Sequence, residues 1–164
     1  MCALSAERTR ATGASERARA NSGVGSICPP EAPTISRFVK KRLKFVYTHV
    51  MAAGWNGDAA VLLAQHRHML AEGRHCLFVA YCDGAPAAAA SYVPFARSAF
   101  LMGGVVLTSY RGRGLYRALV HARLAHARAR GITLATSHAR EATSAPILEK
   151  LGFETVCRFP MYFG

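Results

Sequence analysis

Three arginines and two glycines crowd the front of SYRGRGLYRALV, residues 109–120, and an apolar, alanine-bearing helical pattern follows at once. A glycine-rich turn running into a helix can hold an anion, because the first helical turn has free N–H groups and sits at the positive end of the dipole. Gly112 and Gly114 let the main chain approach phosphate oxygens closely, while Arg111, Arg113 and Arg117 add charge. Neither common nucleotide pattern is present. There is no GxxxxGK followed by Ser or Thr, and GxGxxG fails because Arg117 stands at the third glycine position. On spacing alone, an anion site and a plain exposed turn both stay open.

Acid–base chemistry needs carboxylates or histidines beside the reacting atoms. From residue 45 onward the acids are Asp58, Glu72, Asp83, Glu141, Glu149 and Glu154. Asp83 suits a turn, Glu72 a helix end and Glu149 an exposed helix face, whereas His138 and Glu141 fall at the end of a strand pattern. Cys2, Cys28, Cys76, Cys82 and Cys157 are odd in number and form no metal-ligand spacing, so reduced thiols are expected. His66 with His68, and His121 with His126, lack the i,i+4 spacing that aims two ligands at one ion, and no metal is expected.

The flanking elements must position the turn. AFLMGGVVL (99–107) is almost continuously apolar, which predicts a central strand covered on both faces, and its two glycines mark a bulge or a close approach by a backbone or ligand. Leu115, Ala118, Leu119, Ala122, Ala125 and Ala129 recur at helical spacing, predicting a helix from about Gly114 to Arg130 that Gly131 ends. Arg117, Arg123, Arg128 and Arg130 are expected on its outer side or in its last turn. ITLATSH (132–138) predicts the next strand, TSAPILEKL (143–151) a short helix capped by Thr143 or Ser144, and FETVCRFPMYF a last strand. Upstream, Asp58 predicts a capped helix to about Glu72, and Asp83-Gly84 predicts a hairpin turn between two strands. RFVKKRLKFVYTHVMAA (37–53) is ambiguous, since its first half suits a basic amphipathic helix and FVYTHV is rich in strand formers. The order of elements is that of an α/β layout with a mixed sheet.

The 164 residues suit one domain with a core of its own. Lys and Arg number 21 against 9 acids, a net +12 that favours anionic partners without choosing among nucleic acid, membrane surface and nucleotide cofactor. Residues 1–44 hold nine Lys/Arg and three Glu, net +6, in a stretch of Ala, Ser, Arg, Gly and Pro. With few large apolar side chains, residues 1–35 are expected to form a disordered basic tail ahead of a domain over 36–164. Its arginines invite comparison with a transit peptide, but Glu7 and Glu16 argue against one. No stretch has a signal-peptide core or enough apolar residues to span a membrane, so a soluble, cytoplasmic protein with no membrane partner is expected.

Arg111-Gly112-Arg113-Gly114-Leu115-Tyr116 resembles the (Q/R)-x-x-G-x-(G/A) signature of the GNAT superfamily of acetyl-CoA-dependent N-acyltransferases. Ile147-Leu148-Glu149-Lys150-Leu151-Gly152-Phe153 resembles the helix-to-strand ending of that family, commonly written LYEKLGF, and the spacing between the two also fits. The likeness covers residues 75–164 well and 45–74 loosely. It implies a GNAT-like α/β fold: a mixed, mostly antiparallel central sheet flanked by helices, with splayed central strands. The family's first strand is either KFVYTHV or missing, and a missing strand would expose an edge through which a homodimer could pair.

The resemblance implies an N-acetyltransferase with acetyl-CoA as acyl donor and a primary amine as acceptor. The coenzyme pyrophosphate would rest on backbone amides of Gly112, Arg113, Gly114, Leu115, Tyr116 and Arg117, with Arg111 bracing the loop. Pantetheine would run like an added strand beside Gly104, Val105 and Val106, and an amide near Val105 or Val106 would hold the oxyanion. Glu141 and His138 are the candidate proton acceptors. The sequence departs from the family in three places: Tyr116 stands where Gly or Ala is usual, Leu148 where a tyrosine often serves as general acid, and Glu141 where an asparagine near the pantetheine is common. A coenzyme-binding module with little catalysis therefore stays open beside the enzyme. Nucleic-acid binding is the weakest reading for the domain, which lacks aromatics interleaved with its arginines, and is confined to the tail.

Overall fold

The computed structural model describes residues 2–8, 34–37, 41–71 and 73–160. In chain order the elements are β1 (Cys2–Arg8), β2 (Thr34–Arg37), α1 (Lys41–Trp55), α2 (Ala59–Ala71), β3 (Cys76–Cys82), β4 (Ala85–Pro94), β5 (Ser98–Val106), α3 (Leu115–Arg128), β6 (Leu134–Arg140), α4 (Ala145–Glu149) and β7 (Glu154–Phe159). The strands form one sheet in the order β2-β3-β4-β5-β6-β1-β7. Only β5 and β6 run parallel; every other neighbouring pair is antiparallel.

The centre of the sheet is buried on both faces, and the side chains of β3 show it residue by residue. Leu77 and Val79 pack with Tyr47, Val50 and Met51 of α1, while Phe78 and Ala80 pack with Leu115, Leu119 and Leu124 of α3. Asp83 and Gly84 both take left-handed backbone angles, φ 52° and 74°, and so form the tight turn expected of that pair. Asp58 Oδ1 accepts bonds from the N–H groups of Ala60 and Val61 at 2.6 and 3.0 Å, capping α2 as expected.

FVYTHV is helical. Tyr47, Val50 and Met51 lie at i, i+3 and i+4, so a helix buries all three on one face, which a strand would not. The last turn of α1 lies directly on β5: a Cβ built on Gly54 would stand 2.0 Å from Val105 Cγ2. We expect Gly54→Ala to force α1 off the sheet and to destabilise the fold by about 2 kcal/mol, read as a fall of several degrees in melting temperature.

The N-terminal strand departs from the expected tail over residues 1–35. Cys2–Arg8 lies between β6 and β7, with Leu4 opposite His138 on one side and Cys157 on the other. A strand bonded along both edges needs backbone partners more than large side chains. Thr34 and Ile35 are also paired, in edge strand β2 against β3. The rest of that span, residue 1 and residues 9–33, lies outside the described residues. Among the described residues no helix is long and apolar enough to cross a membrane.

Candidate active site

Strand β5 is bulged. Ala89 pairs with Val105 and Ser91 with Met102, so Gly103 and Gly104 together face the single Ala90 of β4. Gly103 reaches this through φ 52°. Beside the bulge the sheet opens: the parallel pairing of β5 with β6 runs from Ser98↔Leu134 to Leu101↔Ser137 and stops, although β5 continues to Val106 and β6 to Arg140. This is the splay between central strands that the resemblance implies.

The glycines of β5 differ from their expected use as room for a ligand. A Cβ at Gly103 would meet Met51 Cε at 2.9 Å, and one at Gly104 would meet Tyr116 Cε2 at 2.6 Å. Protein side chains therefore already fill both spaces. The open edge is supplied by the backbone instead. Leu107 N–H bonds to Ala87 O on β4 at 3.0 Å, so by alternation the N–H and C=O of Val106 point the other way, into the splay. Arg111 Nε donates to that Val106 carbonyl at 3.3 Å and braces the loop.

Beyond a short 3-10 turn, Thr108–Tyr110, the chain enters the arginine–glycine loop. Gly112 and Gly114 have φ 78° and 76°, and a Cβ on either would meet no atom within 4 Å, so the space before α3 is open. Gly114 is the N-cap of α3 and no side chain caps that end; no acid lies in its first turn among the described residues. The amides of Leu115, Tyr116 and Arg117 thus have no side-chain cap at the positive end of the dipole. Arg113 stacks over the Tyr110 ring, 5.4 Å from its centroid. The structure brings Arg111 to Arg117 together over the loop and the first turn of α3, with Leu115 buried in the core.

Tyr116 turns inward. Its ring crosses Gly104 on the side of the sheet that carries α3. Arg123, expected on the outer side of α3, is instead only 2% exposed. It continues the stripe Leu115, Leu119, Arg123, Ala127 at i+4 intervals, and this periodicity is the signal in the sequence that could have placed it. Its Nε donates to Leu119 O at 3.1 Å, and its Nη1 donates to Ser91 O at 3.1 Å and Met102 O at 3.5 Å. From the opposite face, Tyr47 donates to Ser91 Oγ at 3.2 Å, which in turn donates to Met102 O at 3.3 Å. A polar thread thus passes through the sheet at the bulge. Burial pushes the Arg123 pKa down to about 10, partly opposed by Tyr116 and Tyr47, and burial raises the pKa of both tyrosines.

His138 and Glu141 lie apart in character. His138 is exposed on β6, edge-on to the rings of Phe100 and Phe159 at 4.9 and 5.3 Å between centroids. Glu141 follows β6 and meets Arg158 Nε at 3.4 Å in an exposed ion pair. On the face carrying α1, Trp55 is 51% exposed and its ring approaches Gly103.

A mixed sheet that opens at a bulge, beside an uncapped helix start lined by arginine, defines this protein as an acetyltransferase by class. The chain belongs to the acetyltransferase (GNAT) family, whose model matches residues 44–153. It is similar in fold to the aminoglycoside N-acetyltransferase AAC(6')-Iy in complex with coenzyme A, at 21% identity and TM-score 0.66 over 82% of this chain and 97% of that one. It is also similar to an acetyltransferase of Trypanosoma brucei, at 22% identity and TM-score 0.64 over 80% and 99% of the two chains. A third similar structure is glucosamine-6-phosphate N-acetyltransferase from Arabidopsis thaliana, at 17% identity and TM-score 0.60 over 82% and 100%. No curated protein matches the chain.

Proposed function

We propose that the chain moves the acetyl group of acetyl-CoA to a primary amine of a small molecule or a protein, by direct attack of the neutral amine on the thioester. The observation that carries this reading is the gap between β5 and β6 beyond Leu101↔Ser137, which ends at the open, uncapped start of α3. The pyrophosphate rests on the amides of residues 112–117, with Arg113 and Arg117 adding charge and Arg111 holding the loop to β5. Pantetheine lies along Gly104, Val105 and Val106 as an added strand, and the Val106 N–H is the amide aimed at the oxyanion.

The acceptor enters on the face of α1, between Trp55 and the rings of Phe100, His138 and Phe159. His138 receives the amine proton directly or through water; Glu141, engaged by Arg158, is the weaker candidate. Nitrogen bonds to the acetyl carbon, the carbon–sulfur bond breaks, and the electron pair leaves on sulfur. Held geometry and the preset amide supply most of the acceleration. The catalytic unit is the domain over residues 36–164, to whose sheet β1 and the first half of β2 also belong.

The test is free-thiol release from acetyl-CoA across a panel of amines, with coenzyme binding followed in parallel. Saturable binding with thiol release above the buffer rate for at least one amine is the expected result. Binding without release from any amine would move the protein to the coenzyme-sensing class, and no binding would sink the assignment of the loop.

A further inference from the structure

Trp55 is the single tryptophan of the chain, and it ends α1 half exposed to water. One exposed ring is ordinary on a protein surface, but this one does not stand alone. Its Cη2 lies 3.7 Å from the point where a Cβ on Gly103 would stand, so the indole covers β5 just past the level at which pairing with β6 ends. Phe100 precedes that level on β5 and His138 follows the last pair, Leu101↔Ser137, on β6; their rings meet at 4.9 Å between centroids. Leu101, Ala135 and Ala139 pack in the core under α3, so by alternation Phe100 and His138 face the other way, toward the side that carries α1. Phe159 extends the cluster at 5.3 Å from His138. On this face the mouth of the gap has an indole on its β5 side and three rings on its β6 side.

The charges around these rings are of one sign. From residue 34 onward the carboxylates among the described residues are Asp58, Asp83, Glu141, Glu149 and Glu154. Asp58 caps α2, Asp83 accepts from the Cys82 thiol, Glu149 accepts from Thr155 and Glu141 is paired with Arg158. Glu154 lies three strands across the sheet from Phe100, roughly 14 Å away. Arg140, exposed two residues beyond His138, stands on the same face of β6. A second ammonium on the acceptor would meet a guanidinium there, whereas a flat apolar group meets aromatic faces, which also attract a single ammonium.

We propose that the acceptor is a monoamine carrying an aromatic ring, an arylalkylamine, and that Trp55 selects it by stacking on that ring. This rests on the acetyltransferase reading above and names its acceptor. The alkyl chain leads the nitrogen from the indole to the end of the β5–β6 pairing, beside His138. The products are the N-acetylated arylalkylamine and the free thiol of coenzyme A. Trp55 acts on acceptor binding alone, since it stands on the α1 face and away from the loop before α3.

The single tryptophan makes the test direct. With coenzyme A bound, 2-phenylethylamine is expected to change the Trp55 emission saturably, at concentrations about tenfold or more below those needed for propylamine or spermidine. In the thiol-release assay its kcat/KM is expected to exceed that of spermidine, an aminoglycoside and a lysine peptide by about tenfold or more. Trp55→Ala lowers that kcat/KM about tenfold through KM for the amine, with KM for acetyl-CoA and melting temperature nearly unchanged, and Trp55→Phe restores most of the loss. A kcat/KM for spermidine, the aminoglycoside or the peptide within about threefold of that for 2-phenylethylamine, or above it, overturns the acceptor assignment and leaves the acetyltransferase reading in place. So does a Trp55→Ala variant unchanged within about twofold. Coenzyme binding without thiol release from any amine, or no coenzyme binding, overturns both.

Discussion

Gly114→Trp is expected to weaken coenzyme binding at least a hundredfold while leaving the chain folded. Gly114 has φ 76°, so any side chain there is strained, at a cost of about 1–3 kcal/mol. Apart from its chain neighbours, no protein atom lies within 4 Å of the position its Cβ would take, so the side chain starts in open space beside the first amides of α3. That space is where the pyrophosphate rests in the proposed complex. A hundredfold loss corresponds to about 2.7 kcal/mol, the scale of several charge-assisted bonds lost together. Gly131→Trp is the control. Gly131 also has φ 76° and open space around it, but it lies past the far end of α3. Calorimetric titration with acetyl-CoA should find Gly131→Trp within about twofold of the wild type. Equal losses in both variants would mean that strain, not occupation of the loop, weakens binding.

The contrast between these glycines shows what the sequence made legible. The arginine–glycine turn, the apolar strand before it and the alanine-bearing helix after it appear where their patterns predict, because each depends on local geometry: turn chemistry, a continuous apolar run, a helical stripe. The Asp83-Gly84 turn and the Asp58 cap are legible for the same reason. The misplacements involve long-range competition. FVYTHV has strand propensity, but its helical face matches the sheet surface of Leu77, Val79 and Ala89. Strand β1 carries weak side-chain signals because its pairing with β6 and β7 is made by backbone groups more than a hundred residues away in sequence. Gly104 suggested a ligand; the ring that fills its space belongs to Tyr116, twelve residues later.

Arg123 is the sharper case, because a rule about residue type displaced a rule about position. Arginines on a helix are usually solvated, yet residue 123 falls on the apolar stripe and the stripe decides its orientation. In the same way, two of the three arginines around the loop are engaged within the protein. Arg111 is bonded to Val106 and Arg113 is stacked on Tyr110. In the proposed complex their charge lies at the helix start, and the closer contact with phosphate falls to the backbone amides beside the glycines.

Arg123→Met is expected to leave the fold nearly as stable as the wild type. Removing the side chain withdraws donors from the Ser91 and Met102 carbonyls, and an unsatisfied buried carbonyl costs about 1–3 kcal/mol. Met102 O, however, keeps its bond from Ser91 Oγ. Against that loss stands the relief of a buried charge that no carboxylate compensates, a term of several kcal/mol in the opposite direction. Met fills a similar volume and adapts to irregular space. The two terms nearly cancel, so denaturant unfolding should place the variant within about 2 kcal/mol of the wild type. A variant that unfolds about 4 kcal/mol more easily than the wild type would show instead that the guanidinium is needed to hold the bulge of β5 against β4, as when one partner of a buried polar contact is removed.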